Sequence, residues 1–500
     1  MKKQMKIAVV TTAAALLAIG ASFTAMAAQK GTWRLEDGEW YCYDSDGDAI
    51  EGAFCISNGK EFYVGDDGKM VRSAWVEDDG AWYYVNSAGE KVVNEWRYVT
   101  PAEDEDEEDA WFYLQSNGKR AENKKLVING QTYYFDENGT MLTGWVQATG
   151  DGWGEADDVN VANTTTYFCD ENGARLKGEW VKTYGPGVDE DDADEDDKKW
   201  FYIKTSGQPA VGKQTNINGE TYFFNNYGQM LSGWVVGSSS NYEEIWDSDG
   251  NGTPLSTAAA NGMDVYFCGD EDDGHAKKGK WIKEWSSVDY GDGDSDNEKH
   301  WFYIEKNGKV FIPGSDSETT LTAAQEWDLV DATAEDGKQF EADATHEAAT
   351  KKINSSTYLF NQDGEMVYGF VEMEEKMYYF GGENDGARKT GSVTVKDESG
   401  EAVKCYFSTE TKETEGYYIG AGVNGAKSGK LYKDGILVVA TEDKYEIKEV
   451  ANMEFVVNKS GSIQSSEGPY KDGGDELFGG AKFTYNDTKG VSYKSIATKN

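Results

Sequence analysis

Apolar positions in this chain come in short aromatic bursts, and each burst is followed at a fixed offset by glycine. Trp82-Tyr83-Tyr84-Val85 runs to Gly89, and the frame returns as Trp111-Phe112-Tyr113-Leu114 to Gly118 and Thr132-Tyr133-Tyr134-Phe135 to Gly139. Further copies begin at Thr166, Trp200, Thr221, Trp301 and Thr357, with looser ones around Trp40, Phe62, Tyr266, Tyr378 and Tyr417. Aromatic or β-branched residues, then Asp/Asn-x-x-Gly, then a second short apolar stretch, predict a strand, a tight turn and a return strand, so each copy reads as one β-hairpin. Strand side chains alternate between faces: Tyr83 and Val85 share one side, Trp82 and Tyr84 the other. Rings therefore lie on both faces. A lone hairpin is marginal in water, so successive copies must stack and bury one another's rings. The predicted fold is all-β, a solenoid of stacked β-hairpin repeats with acidic loop insertions.

A longer period overlies the hairpins, since Trp111, Trp200 and Trp301 each open a group of frames. Tandem duplication of a three-hairpin block explains it. The expected organisation is N-terminal hairpins over 31–110, a first block over 111–199, a second over 200–300, a less regular third over 301–440, and a β-rich tail over 441–500. The stretch 312–352 matches the frame poorly, and a short helix is predicted around Glu335 to Ala349.

The N-terminus changes the picture of where the protein works. Lys2, Lys3 and Lys6 precede an apolar run from Ile7 to Ile19, and then Ala25-Met26-Ala27-Ala28. This is the pattern of a secretory signal peptide over 1–27, too short to be a transmembrane anchor. The formal charge is −43, which disfavours nucleic acid and anionic lipid as partners. Such acidity would suit a disordered chain, but 16 Trp, 30 Tyr and 20 Phe argue for an aromatic core. The five cysteines, 42, 55, 169, 268 and 405, are too few and too scattered for a disulfide scaffold. Cys42 and Cys55 are near enough in sequence to pair.

The run Ile128-Asn129-Gly130-Gln131-Thr132-Tyr133-Tyr134-Phe135-Asp136-Glu137-Asn138-Gly139-Thr140-Met141-Leu142, with Gly144-Trp145 and Gly233-Trp234, resembles the cell-wall-binding repeat. That repeat occurs in choline-binding modules, streptococcal glucan-binding proteins and the receptor-binding ends of large clostridial toxins. The resemblance covers most of Trp33 to Tyr418. It implies a superhelix of hairpins with ligand pockets between neighbours, where a quaternary ammonium is held by cation–π attraction in an aromatic cage. Carried onto this sequence, it implies cages of Trp75 with Trp82 and Tyr113, Trp96 with Trp111 and Tyr134, Trp180 with Trp200, and Trp281 with Trp301. Thr132, Thr166, Thr221 and Thr357 stand where a cage would need Trp, so those copies look more like the glucan-binding and toxin branch. Each ring taken alone also has a plain reading as core.

Acidic insertions at 101–109, 188–197 and 289–298 each precede a Trp-Phe-Tyr triplet and read as solvated loops, or as negative potential beside a cation pocket. Asp247, Asp249 and Asn251 match the start of a calcium loop, but Ala258 stands in place of its bidentate acid. No cofactor other than this calcium is implied. The three histidines have no second ligand at metal spacing, and no nucleophile motif or spare catalytic domain is present. The leading expectation is a secreted, non-enzymatic surface protein that attaches non-covalently to a cell-wall polymer, through choline or glycan. An adhesive or structural protein that binds host or dietary glycans is the competing class, and a wall-modifying hydrolase the weaker third. Oligomeric state is not legible.

Overall fold

Several hairpins close over two-residue turns placed just before the aromatic burst, while those of the Trp111, Thr166, Trp200 and Trp301 bursts have longer connections. Ala74–Asp78 pairs antiparallel with Ala81–Val85, with Trp75 opposite Tyr84, and the chain reverses at Asp79-Gly80 with φ of +51° and +66°. Positive φ at both central residues matches the right-handed twist of the strands, and Asx-Gly meets that demand at little cost. Asp37-Gly38, Asn58-Gly59 and Asn129-Gly130 repeat the turn. This corrects the register expected from sequence: the partner of each burst lies upstream of it. The Asx-x-x-Gly stretch downstream makes a compact loop, in which Asn86 Oδ1 accepts from the amides of Ala88 and Glu90 at 2.9 and 3.0 Å. Beyond that loop only an isolated bridge forms, Val85 with Lys91.

That bridging residue links one hairpin to the next. The amides of Met70, Lys91, Arg120, Met141, Arg175 and Met230 donate to the carbonyls of Trp40, Glu61, Trp82, Trp111, Thr132 and Trp200, all at 2.8–2.9 Å. Each of these bonds reaches back to the aromatic strand of the preceding hairpin, so these repeats are tied to their neighbours by backbone as well as by rings; Pro209, at the same place after Gly207, has no N–H to donate. The fold is an all-β stack of hairpins, as the sequence predicts.

The computed structural model describes residues 28–102, 108–157, 160–189, 193–245, 252–288, 299–315, 319–331, 339–410, 418–481, 483–488 and 491–496. The predicted signal peptide, 1–27, and the calcium-loop residues Asp247, Asp249 and Asn251 lie outside them, as do 103–107, 190–192 and 289–298 of the acidic insertions. No helix among the described residues is long and apolar enough to cross a membrane.

The chain divides into two compact units, one holding residues up to Thr215 with Phe223–Met230, the other Asn216–Tyr222 with the chain from Leu231 onward. The first is a run of hairpins. The second continues with Lys280–Glu284 paired to His300–Ile304, and then departs from simple hairpins. Its six-stranded sheet runs in the order Met366–Val367, Ser356–Asn361, Phe340–Ile353, Thr322–Leu329, Phe370–Met373, Lys376–Tyr379. Phe340–Ile353 is one 14-residue strand where a helix was expected. Its Ala- and Glu-rich composition favours helix, but pairing on both sides, with Thr322–Leu329 and Ser356–Asn361, overrides so weak a preference. A five-stranded sheet follows over Gly391–Leu437, and three further hairpins occupy the tail.

Candidate functional site

Ten tryptophans of the repeats fall into three sets, two of them at the same place on the upstream strand but in different surroundings, and the third at the head of the aromatic burst. Trp75, Trp145 and Trp234 stand on upstream strands and are structural. Their indole N–H groups donate to the carbonyls of Thr100, Tyr184 and Trp285 at 2.8, 2.8 and 3.0 Å. Their rings meet Phe112, Phe201 and Phe302 edge-on at 5.0, 4.8 and 4.7 Å, and those three phenylalanines are wholly buried. Trp96, Trp180 and Trp281 form the second set. Trp96 is surrounded by Tyr113, Tyr133 and Phe135 at 5.1, 5.0 and 5.8 Å. Trp180 has Tyr202 and Phe224 at 5.2 and 5.8 Å, and Trp281 has Tyr303, Tyr358 and Phe360 at 5.2, 4.8 and 5.6 Å.

The third set, Trp82, Trp111, Trp200 and Trp301, opens the aromatic bursts. Trp111 stands at 88° to Trp96 with centroids 6.4 Å apart, and Trp200 at 89° to Trp180 at 6.3 Å. Two rings at a right angle make a corner whose faces can both point at one cation. Trp111 is 45 % exposed, and it is flanked by Tyr98 at 5.2 Å, itself 55 % exposed. Trp301 shares a cluster with Trp281 on Phe311, Phe360 and Met366, and its indole N–H donates to Asn384 Oδ1 at 3.2 Å.

Two of the predicted cages change membership. Trp75 and Trp82 do face one centre, but Phe112 supplies the third ring, and Tyr113 packs on Trp96 instead. At Trp96 it is Tyr133 that packs on the indole, at 5.0 Å, whereas Tyr134 is buried against Trp153 and Tyr167 at 4.4 and 5.4 Å. Both corrections have the same cause: adjacent residues of a strand point to opposite faces, so a carry-over that is off by one position lands on the wrong side.

The Trp75 corner is already filled. The Arg120 guanidinium carbon lies 5.4, 5.6 and 5.8 Å from the ring centroids of Trp75, Trp82 and Phe112. Its side chain is 1 % exposed, and its Nε donates to Glu122 Oε1 at 2.8 Å. One repeat earlier, Lys91 Nζ sits 4.9 and 5.5 Å from the rings of Phe54 and Tyr83 and pairs with Glu61. Burial holds its ammonium below the ordinary lysine value. At the equivalent place further on, Arg175 lies 5.0 Å from the Tyr167 ring and donates from Nη1 to the Tyr134 hydroxyl at 3.3 Å. Nothing in the aromatic frame marks these bases, but their position two residues after the loop glycine is regular and could have flagged them.

Comparison with known proteins bears on these repeats directly. A choline-binding repeat model matches residues 124–153, and a cell wall binding repeat model matches 73–91 and 351–366. The chain carries repeats of the cell-wall-binding family. It is 26% identical over 315 residues to Glucosyltransferase-S of Streptococcus mutans serotype c, a match over 58% of this chain that spans only 16% of that relative. Among solved structures, the choline-binding domain of CbpL from Streptococcus pneumoniae is 24% identical, with 50% of this chain and 97% of that one covered at a TM-score of 0.30. CbpJ of the same species is 19% identical, with 70% and 99% covered at 0.36. The modular autolysin LytC is 17% identical, with 72% and 52% covered at 0.30.

The matched segment 73–91 includes Trp75 and Trp82, so the repeat whose corner holds Arg120 is a cell-wall-binding repeat by sequence. Other predicted chemistry sits in ordinary packing. Ala258 is a core residue of the short helix Leu255–Ala260. Cys42 and Cys55 are neighbouring buried thiols, free in this structure, and burial raises both. Among the described residues, no group of three or more His, Cys, Asp or Glu is placed to hold a metal ion. A polar cavity of about 220 Å³ opens beside Trp301, lined in part by Glu326, His346, Asn361 and Glu365. His346 Nε2 meets Glu326 Oε1 at 3.1 Å, and burial holds the Glu326 carboxyl above its usual range against the opposing effect of His346.

Proposed function

We propose that this is a secreted, non-enzymatic surface protein that attaches non-covalently to choline-bearing cell-wall polymer, with the Trp96–Trp111–Tyr133 corner as its principal seat. The observation that carries the reading is the right-angled pair of Trp96 and Trp111, with Trp111 open to solvent; Arg97 Nη1 donates to the Trp96 carbonyl at 3.0 Å. A trimethylammonium group between two indole faces and a phenol ring gains about 0.5–2 kcal/mol per ring. The stretch 101–109, which joins the two strands of this hairpin, Glu95–Val99 and Ala110–Leu114, is rich in acidic residues in the sequence. Trp180–Trp200 has the same right angle and is the second seat, although Lys182 lies 5.8 Å from the Trp200 ring.

A second reading, glucan binding, is favoured by the exposed pair of Tyr98 and Trp111, tilted 45° to each other, either ring of which offers an apolar face to a pyranose. One experiment separates the two. The chain is bound to choline-bearing walls or to dextran, and choline chloride is added. Release from walls by choline, with loss of wall binding in Trp111→Ala, supports choline recognition. Retention on dextran that choline does not alter, lost in the same variant, supports the glycan. Wall binding untouched by Trp111→Ala would refute both.

A further inference from the structure

The groove between consecutive hairpins is not empty in this chain, because the residue that makes the backbone tie also sends its side chain into it. Met70, Lys91, Arg120, Met141 and Arg175 run beneath the loop glycine of the next repeat. A Cβ on Gly89, Gly118, Gly139, Gly173 or Gly207 would approach them to between 2.4 and 3.0 Å. Where that side chain is methionine, it adds apolar packing and no charge. At position 120 it brings a guanidinium into the centre of two indoles and a benzene ring. A buried guanidinium would be costly on its own, and the three ring faces, together with Glu122 at its Nε, help to make its burial tolerable.

We propose that Arg120 is a built-in ligand of the Trp75–Trp82–Phe112 cage, which it closes to quaternary ammonium groups, so that this residue decides whether that corner of the array binds. The inference rests on the reading of aromatic corners as ammonium seats. Guanidinium and trimethylammonium are both broad, weakly hydrated cations, and they satisfy the ring quadrupoles in the same place. The two therefore compete for one volume. Removing the guanidinium while keeping the rings leaves a cage of the chemistry that trimethylammonium requires.

The test is equilibrium dialysis of tetramethylammonium chloride, and separately of choline chloride, against the full chain, with indole fluorescence as a second readout. The variants are Arg120→Ala, Arg120→Met and Arg120→Lys. Methionine already occupies the equivalent position in neighbouring repeats, at Met70 and Met141, so Arg120→Met preserves the packing if the alanine variant fails to fold. The expected result is one further equivalent of ammonium bound by the Ala and Met variants, with an association constant at least about tenfold above any residual binding at that cage. Arg120→Lys, which keeps a cation in the groove, gains none. Folded Ala or Met variants with the stoichiometry of the wild type would overturn the proposal. Trp111→Ala in both backgrounds separates it from the reading on which it rests. Binding that appears with Arg120→Met and survives Trp111→Ala supports the closed cage even if the wild type binds nothing. Wild-type binding that Trp111→Ala abolishes, with no gain in the Arg120 variants, leaves the wall-binding reading standing and sinks this one.

Discussion

Two neighbouring corners of the same repeat array are built on tryptophans at equivalent strand positions, and they are opposite in character. At the Trp75 corner the tie residue is Arg120, and the cation there belongs to the protein. At the Trp96 corner the tie residue is Met141, which packs beside Trp96, Tyr113 and Tyr133 and brings no charge. The hairpin tips differ too. Trp75 lies on a hairpin closed by Asp79-Gly80, while the Trp96 hairpin carries the acidic stretch, and its Trp111 faces solvent. The comparison teaches that an aromatic frame alone does not define a binding site in such a fold. What enters the groove from the next repeat decides whether the rings form core or receptor.

The comparison can be broken most forcefully at the closed corner. Trp75→Ala should cost about 3–5 kcal/mol, because it removes a large ring packed on buried Phe112, the indole bond to Thr100 O and one wall around a buried cation. Chemical denaturation would read this loss, and wall binding measured well below the unfolding midpoint should stay within about twofold of wild type. A large loss of binding with little loss of stability would reverse the roles assigned to the two corners. Gly139→Ala should cost about 1–3 kcal/mol. Its φ is +80°, and the added methyl would meet Arg120 Cδ at 2.7 Å. Combined with Arg120→Ala, the steric part of that cost should vanish and the backbone part remain, a coupling that a double-mutant cycle measures directly. Trp111→Ala is the converse case: about tenfold or more off polymer binding, with stability changed by less than about 1 kcal/mol, because the ring is largely solvated.

Sequence carried the hairpins, their stacking and the family because those depend on a local signal repeated many times. The aromatic bursts recur in frame, and a segment too small to be stable alone must stack. It misassigned the turn, since Asn86-Ser87-Ala88-Gly89 looks like a reversal and the quieter Asp79-Gly80 is the one. The two-residue Asx-Gly signal was present upstream of several bursts, as at Asp79-Gly80, Asn129-Gly130 and Asn218-Gly219, and would have fixed the register there. Cage membership was legible only in part. Trp75 with Trp82 and Trp96 with Trp111 could be paired, but choosing Phe112 over Tyr113, and Tyr133 over Tyr134, depends on which face each hairpin presents to its neighbour. The role of Arg120 is a contact between repeats: its place two residues after Gly118 marks it as a tie residue, but the rings it meets belong in part to the preceding hairpin. The long strand Phe340–Ile353 was hidden for a similar reason, because its partners on both sides outweigh its own helical composition.

Lys91 offers the smallest effect and the finest test, since it fills its groove with a base that can titrate where Arg120 cannot. Burial between Phe54, Tyr83 and the Glu61 pair lowers its proton affinity in the folded chain, and the desolvation outweighs the carboxylate beside it. A base whose folded value lies below its unfolded one binds fewer protons when folded. Stability from this group therefore rises with pH across the interval between the lowered value and the ordinary 10.5, and is flat below that interval. Tyrosines also titrate there, so the informative quantity is the wild type minus Lys91→Met, in urea midpoints taken from neutral to alkaline pH. The difference should move in favour of the wild type as pH rises, because the variant lacks the charge whose burial is being relieved. Arg120→Met should show no such slope of its own, as the guanidinium stays charged throughout. Equal slopes in the two variants would mean that the grooves do not distinguish a titrating from a permanent cation. A slope of opposite sign at Lys91 would mean that the Glu61 pair, rather than burial among the rings, governs that groove.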